Sequence, residues 1–184
     1  DYVLGGTGID TFKVTAGTDR IADVNAGDHD DILVVDVGAT ANVTVVAATV
    51  GAWPANTWVA SAATTNNGTV NITLENGSAG IDMRLASGSN GYTISAGNDS
   101  DQLIGSTQDD TLYGGAGDDI LTGDGGDDAL YDVQGVNAIN VGIGSGSDID
   151  RVFFTSTSSS STYTNKGGWG ASKVKVMLVG GGAG

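Results

Sequence analysis

Four aspartates recur every nine residues in the second half of the chain: Asp101, Asp110, Asp119 and Asp128. If two nine-residue blocks form one coil of a strand stack, residues eighteen apart lie about 4.8 Å above one another. Asp101 would then lie over Asp119, and Asp110 over Asp128. Carboxylates at this spacing repel unless a cation lies between them. An oxygen-only site completed by backbone carbonyls suits Ca²⁺ better than Zn²⁺ or copper. We predict that these aspartates bind Ca²⁺; the alternative is a solvated acidic edge.

Seven apolar residues keep the same nine-residue spacing, and the four central ones, Leu103, Leu112, Leu121 and Leu130, each lie two positions after an aspartate. The series is Leu85, Ile94, Leu103, Leu112, Leu121, Leu130 and Ile139. A nine-residue period does not fit a heptad coiled coil and is typical of a nonapeptide β-helix, in which each block is a turn and a short strand. Alternate side chains of a strand face opposite sides, so we predict that these residues point inward. A flexible Gly/Asp-rich segment without metal is the alternative, but linkers do not keep an apolar residue in step.

Glycines open the blocks and permit the positive φ angles of tight turns. The block GGAGDDILT, residues 114–122, is the most complete. We predict that Gly115, Gly117 and Gly126 supply turn geometry and carbonyl oxygens to the metal, with turn geometry alone as the alternative. The block GGTGIDTFK, residues 5–13, repeats the pattern. This block and its continuation at residues 17–21 add a smaller set of predicted metal-site residues: Gly6, Gly8, Asp10 and Asp19.

These blocks resemble the GGxGxDxUx repeats of RTX (repeats-in-toxin) proteins. The match is full at residues 5–13 and 114–122, partial at 105–113 and 123–131, and weaker at 97–103 and 135–139, with residues 17–21 continuing the N-terminal copy. Taken over both arrays, the resemblance covers roughly half of the chain. It implies a right-handed parallel β-roll, calcium-driven folding and type I secretion from a Gram-negative bacterium. We therefore expect an all-β fold, a parallel β-roll or β-helix with a strand-rich insert, in an extracellular or cell-surface protein.

Composition favours a turn-rich β protein that binds cations. The 184 residues include 31 glycines, 1 proline and no cysteine, and 39% are hydrophobic. With 22 acidic and 7 basic residues the net charge is −15, which disfavours nucleic acid and anionic membranes as partners. The lack of cysteine excludes disulfides and thiolate metal sites. No apolar run is long enough to span a membrane, so we predict no transmembrane segment.

Changes in composition divide the chain into four predicted segments. Residues 1–37 are the end of a first RTX-like array, and residues 38–77 are a strand-rich insert that continues the sheet or packs on its side. Residues 78–154 form a second β-roll, whose metal-competent centre is residues 96–131. Residues 155–184 are a Ser/Gly-rich C-terminal strand segment. The predicted core of the first segment is Ile21, Val24, Ile32, Val34 and Val35.

The remaining residues that could do chemistry are few, and we predict that the chain is not an enzyme. His29 is the only histidine, which excludes a multi-histidine metal site. A solvated loop residue is the default interpretation, and the alternative is a loop in which the neighbouring Asp28, Asp30 and Asp31 bind calcium or another divalent ion. Trp53, Trp58 and Trp169 could stack on sugars, but core or loop anchors are more common. A glycosidase needs two carboxylates in a cleft, whereas these carboxylates recur on a repeat, as ligands do.

Two functions from different classes remain open. The first is a calcium-binding structural segment of a secreted surface-layer, filament or adhesin protein. The second is a calcium-binding accessory or secretion module of a secreted protease, lipase or epimerase. The chain opens at Asp1 in mid-pattern, so we expect a fragment or a processed piece. The tail 180–184 joined to the head 1–4 would complete one block, which predicts head-to-tail self-association, with cell-surface components as the other candidate partner.

Overall fold

The architecture is a stack of parallel strands wound around one apolar interior. The computed structural model describes residues 1–24, 31–46, 57–75, 77, 79–133, 138–140, 149–154, 162–164 and 173–178, and every regular element among them is a β-strand. The strands pair in parallel into three sheets, and the buried apolar side chains form one cluster between them. This confirms the predicted all-β parallel roll.

The largest sheet, called the large sheet below, has nine strands and extends from one end of the described chain to the other. In spatial order they are β1 (Tyr2–Val3), β3 (Thr18–Val24), β5 (Thr40–Val45), β8 (Thr69–Leu74), β11 (Thr93–Ser95), β13 (Thr111–Tyr113), β15 (Ala129–Asp132), β17 (Ile149–Phe154) and β19 (Lys173–Leu178). Because consecutive neighbours are separated by whole coils in the sequence, each coil contributes one strand to this sheet.

Two shorter sheets form the other walls. The four-stranded sheet lies in the N-terminal half, in the order β10 (Ser87–Gly88), β7 (Thr65–Asn66), β4 (Ile32–Val35) and β2 (Thr11–Val14). The six-stranded sheet has the order β18 (Thr162–Thr164), β16 (Ala138–Asn140), β14 (Ile120–Thr122), β12 (Gln102–Ile104), β9 (Gly80–Asp82) and β6 (Thr57–Val59).

Coil length varies along the stack, and eighteen-residue coils occur in the repeat array and at the N-terminal end, where Val3 pairs with Ile21. Ile94 pairs with Leu112 and Leu112 with Leu130, as the nine-residue period predicts. Between Ile21 and Ile94 the coils are longer, since Val43 pairs with Ile72, and Ile72 pairs with Ile94. In these longer coils the strands of the large sheet are longer, with 6 residues each in β5 and β8, whereas the array strands have 3 or 4 residues.

The interior is filled by the predicted apolar series with one exception. Its last six members are all buried, at 1% exposure or less: Ile94, Leu103, Leu112, Leu121, Leu130 and Ile139. The prediction for Leu85 is wrong, because its side chain is 63% exposed. Ile81 fills that place and pairs with Leu103 across a coil that is longer than the repeat allows. The additional residues of this coil put Leu85 out of phase with the interior.

The predicted core of the first segment needs one further correction. Ile21, Val24 and Val35 are buried, but Ile32 and Val34 are only half-buried. Strand β4 alternates, and Leu33 together with Val35 occupies its inward face. Side chains next to each other in a strand point to opposite sides, so Val34 and Val35 could not both face the core.

Strands from the predicted insert belong to the same three sheets as the repeats. Strand β5 pairs with β3 and β8, and β8 pairs with β11 of the array. The large sheet thus passes through residues 38–77 without interruption. The exact boundaries of the four segments stay a prediction.

Aromatic side chains form a ladder on the outer face of the large sheet. Tyr113 stacks on Tyr131 with ring centroids 4.7 Å apart, and Tyr131 stacks on Phe153 at 4.4 Å. These distances match the spacing of neighbouring strands, so the parallel register itself brings the rings into contact. Within the described ranges no helix is long and apolar enough to cross a membrane.

Candidate metal centre

The four repeat aspartates lie in two columns, one on each side of the roll, and all are buried. Each is linked to the preceding coil by its own carboxylate. The backbone N–H of Asp101 donates to Oδ1 of Asp119 at 2.9 Å, and that of Asp110 donates to Oδ1 of Asp128 at 2.9 Å. The N–H of Ala79 donates likewise to Asp101 at 3.0 Å. The eighteen-residue stacking predicted for these carboxylates is therefore present.

The glycine that opens each block makes room for the carboxylate of the same block. A Cβ atom built on Gly114 would lie 2.7 Å from Oδ2 of Asp119, and one built on Gly105 would lie 2.5 Å from Oδ2 of Asp110. Real Cβ atoms do not approach other atoms so closely. The first glycine of a block is thus required by packing against the aspartate five residues later, and the carboxylate is held over its own turn.

In the complete block, residues 114–122, the second and fourth residues pack closely against the backbone of the preceding coil. Gly115 and Gly117 have φ angles of 97° and 129°. Added Cβ atoms there would collide with the carbonyl oxygens of Gly97 and Asp99. Gly126 has φ 113° and has the same kind of contact with the backbone of the preceding coil. Carbonyl oxygens of one turn therefore face bare glycine backbone of the next, close to the stacked carboxylates.

Burial makes the charged form of these carboxylates costly. Burial raises the pKa of Asp101 to about 6, and hydrogen bonds from the N–H groups of Ala79 and Gly97 only partly oppose it. Burial also raises the pKa of Asp110 to about 6, against hydrogen bonds from Ser106 and Tyr92. The pKa of Asp119 is raised by burial as well. A cation beside these groups would remove this cost, because an opposite charge favours the ionised form.

The predicted N-terminal site is built from similar parts but is more open. Gly6 and Gly8 have φ angles of 91° and 111°, and added Cβ atoms there would meet nothing within 4 Å. The carboxylate of Asp10 packs over Gly5, and its buried Oδ2 has no hydrogen-bond partner in the described structure. Asp19 accepts from the amino group of Asp1 at 2.7 Å and is partly exposed.

Two aspartates that take part in the same arrangement were not predicted as ligands. The backbone N–H of Asp10 donates to Oδ1 of Asp31 at 2.9 Å, and Asp31 is buried two positions before the inward Leu33. Both carboxylate oxygens of Asp23 accept from the N–H groups of Gly5 and Gly6 at 2.8 Å. In the sequence, Asp31 precedes the apolar Leu33 by two positions, as each repeat aspartate precedes its leucine. The neighbouring acidic residues Asp28 and Asp30 obscured this pattern.

The donors fit a hard cation only when backbone oxygens are included. No three carboxylate or imidazole groups converge on one point in the described residues. A site here would combine stacked carboxylates with the carbonyl oxygens that face the glycines of the next coil. Such an all-oxygen set suits Ca²⁺, which takes about 6–8 oxygen ligands including backbone carbonyls. The residues present therefore fit calcium and do not fit a metal that needs nitrogen or sulfur.

Residues 95–130 match the family model of the RTX calcium-binding nonapeptide repeat, in four copies. This segment is an RTX-type repeat array. Its limits agree with the predicted metal-competent centre, residues 96–131. No curated protein and no solved structure matches the chain.

The repeats of the RTX array are of a calcium-binding type, and this supports the predicted cofactor. The assignment of individual ligands, at Asp101, Asp110, Asp119, Asp128 and the glycines, stays a prediction. Residue 29, tryptophans 53 and 169 and the tail 180–184 lie outside the described residues. Trp58 is fully buried and its indole N–H donates to the carbonyl of Asp31 at 2.9 Å, so it is a core anchor.

Proposed function

We propose that the chain is a calcium-folded structural segment of a secreted extracellular protein of the surface-layer, filament or adhesin type. One observation carries the proposal: the RTX array has too little apolar core of its own. Residues 103–120, one array coil, bury only two apolar side chains, Leu103 and Leu112, whereas the described residues of 70–92 bury eight. Each residue that becomes ordered costs about 1–2 kcal/mol of backbone entropy, so the array coils need another source of stability.

The array coils bury charge where the preceding coils bury apolar groups. Residues 101–128 contain four buried aspartates, and the raised pKa values of Asp101, Asp110 and Asp119 reflect the cost of that burial. Binding Ca²⁺ would neutralise the carboxylates and join consecutive turns, so binding energy would become folding energy. The coils that bury Val43 and Ile72 would then form a scaffold that is independent of calcium, and the array would become rigid on export into a medium that contains calcium.

A structural function fits better than catalysis. Two cavities among the described residues each contain a single carboxylate: Glu75 in one of about 490 Å³ and Asp82 in one of about 170 Å³. Hydrolytic chemistry on glycosides needs two. An accessory module of a secreted enzyme is the alternative. A zinc-binding helix or a nucleophile elbow elsewhere in the same polypeptide would favour it.

Self-association through the ends of the roll is part of this proposal. Strand β1 lies at the edge of the large sheet, and exposed apolar side chains surround it, including Tyr2, Leu4 and Ile9. Unpaired strand edges add further strands readily. We expect calcium to promote head-to-tail contact. Deleting residues 180–184 should abolish calcium-induced oligomers in light scattering without altering the array, and oligomers that persist would contradict the head-to-tail contact.

The test is a calcium titration of the 184-residue chain, followed by circular dichroism and by hydrogen–deuterium exchange. Chelation should raise exchange at the amides of Leu112 and Leu121 and leave those of Val43 and Ile72 protected. Magnesium at equal ionic strength is the control, because it prefers a smaller octahedral site with bound water. If chelation leaves exchange and melting temperature unchanged throughout, the proposal is wrong.

A further inference from the structure

Asp110 of the RTX array is held by a serine of its own turn, residues 105–110. The aspartate is buried, at 1% exposure. Its Oδ1 accepts from the backbone N–H of Tyr92 at 2.6 Å, and its Oδ2 accepts from the backbone N–H of Ser106 at 2.5 Å. The hydroxyl of Ser106 lies 3.1 Å from Oδ2 and 3.3 Å from Oδ1. Three protein donors therefore surround this one carboxylate.

The Ser106 hydroxyl also connects the carboxylate to the backbone of the turn. Its oxygen accepts from the backbone N–H of Gln108 at 3.2 Å, which leaves its own proton for Asp110. Ser106 is itself buried, at 1% exposure. A carboxylate that accepts two or three hydrogen bonds is stabilised in its charged form by those bonds alone. Ser106 thus gives Asp110 contacts that favour the ionised carboxylate without a metal.

The backbone of this turn differs from that of the next turn on the same side of the roll, residues 123–128. There the second and fourth residues, Asp124 and Gly126, have φ angles of 76° and 113°. Ser106 and Gln108 hold these two positions in turn 105–110. Neither has a positive φ, because Asp124 is the only non-glycine residue with a positive φ in the described part of the chain. Since φ sets how neighbouring peptide groups are oriented, the carbonyl oxygens of the two turns point in different directions.

The N-terminal repeat block has the opposite arrangement. Gly6 and Gly8 hold its second and fourth positions, with φ angles of 91° and 111°. Glycine offers no hydroxyl, and the buried Oδ2 of Asp10 has no hydrogen-bond partner in the described structure. A buried oxygen of this kind is costly unless another group satisfies it. Glycine at the second position therefore leaves an aspartate oxygen in need of a partner, whereas Ser106 satisfies Asp110.

A positive charge of the chain itself lies beside turn 105–110. Arg84 belongs to the coil before this turn, and its guanidinium donates to Asp82 through Nε at 3.0 Å and through Nη2 at 2.5 Å. Its charge also interacts with that of Asp124, which belongs to the coil after the turn. These two interactions place the guanidinium next to the turn between them. A divalent cation bound at that turn would be repelled by the like charge.

We propose that turn 105–110 binds no calcium, because Ser106 supplies to Asp110 the contacts that a calcium ion supplies to Asp119. The inference rests on the proposed function and narrows it, since the four repeat aspartates then provide fewer calcium sites than their number suggests. It revises the prediction of Asp110 as a ligand. The chain itself orders this turn, which gives the calcium-binding turns after it a fixed neighbour.

The test is a calorimetric calcium titration of the 184-residue chain with matched aspartate variants. Asp119→Asn should lower the number of bound ions by about one, because a ligand carboxylate is lost. Asp110→Asn should leave the number and the affinity of the bound ions unchanged. Circular dichroism in saturating calcium checks that both variants fold. Equal losses of calcium from the two variants would overturn the inference and leave the proposed function standing.

A second pair of variants decides the matter even if Asp110→Asn does not fold. Ser106→Gly combined with Gln108→Gly restores the glycines of the complete block and should add about one bound ion, because Asp110 then needs another partner. Thr107→Gly, at the exposed third position of the same turn, is the control and should add none. A serine that only stabilises the turn would change the melting temperature but not the number of ions, so an unchanged number in the double variant overturns the inference. A wild-type chain that binds no calcium would refute the proposed function, and this inference with it.

Discussion

Replacing Gly115 by alanine tests whether consecutive array turns interlock through glycine backbone. Gly115 and Gly6 occupy the same position of a complete repeat block and have similar φ angles, 97° and 91°. They differ in surroundings: a Cβ on Gly115 collides with the carbonyl oxygen of Gly97, whereas one on Gly6 meets nothing within 4 Å. Gly6→Ala should therefore cost only the left-handed backbone strain of about 1–2 kcal/mol. Gly115→Ala adds the displacement of a packed coil, about 1–3 kcal/mol more.

The assay is thermal unfolding by circular dichroism in saturating calcium. At about 2–4 °C per kcal/mol for a domain of this size, Gly115→Ala should melt about 2–12 °C below Gly6→Ala. Gly38→Ala is the control for distance from the end of the roll. Gly38 has φ 78° and lies between strands of the roll rather than at its N-terminal end, and an added Cβ there would also meet nothing within 4 Å. It should behave like Gly6→Ala. Equal losses for all three variants would show that the turns do not interlock and would refute the reasoning.

Three further expectations follow from burial and charge. Leu121→Ala should lower the free energy of unfolding by about 2–5 kcal/mol in urea melts, against less than about 0.5 kcal/mol for the exposed Leu85→Ala, and equal losses would contradict the inward register. Asp119→Ala should weaken calcium binding in calorimetry more than Asp10→Ala does, because Asp119 lies mid-array; unchanged affinity would remove it as a ligand. Without calcium, stability should fall as pH rises. Burial raises the pKa of Asp110 from 3.8 to about 6, so its contribution of about 3 kcal/mol is complete below about pH 4 and lost as pH rises through 6. Denaturant melts at pH 4 and 7 that agree would argue against this.

The sequence predicts the array well because there the period and the coil coincide. Two nine-residue blocks make one coil, so the pairing of Leu103 with Leu121 follows from counting. Between Ile21 and Ile94 this relation is lost. Leu85 keeps the nine-residue spacing, yet the chain buries Ile81 and Met83 instead, because strand alternation and a longer coil determine which side chains face inward. Both choices are apolar, and local pattern alone does not distinguish them.

The longer coils could not be predicted because their lengths are set by contacts between distant residues. Val43 and Ile72 are neighbours on adjacent strands, and no internal repeat marks their separation in the sequence. Asp31 was missed for the same reason, because its carboxylate accepts a hydrogen bond from the backbone N–H of Asp10, a residue of the preceding coil.

The hydrogen bonds of the aspartates give the stack a direction. Each carboxylate accepts from the backbone of the coil before it, so every array coil is aligned on its N-terminal neighbour. The first of these bonds joins Asp101 to Ala79, which belongs to the better-packed coil that buries Ile81 and Met83. This hydrogen bond therefore aligns the first array coil on the apolar coils. In the proposed function, calcium neutralises carboxylates whose positions these backbone hydrogen bonds set. On that proposal the repeats need bury only one apolar residue per block, because the aspartate sets the register and the ion supplies the stability.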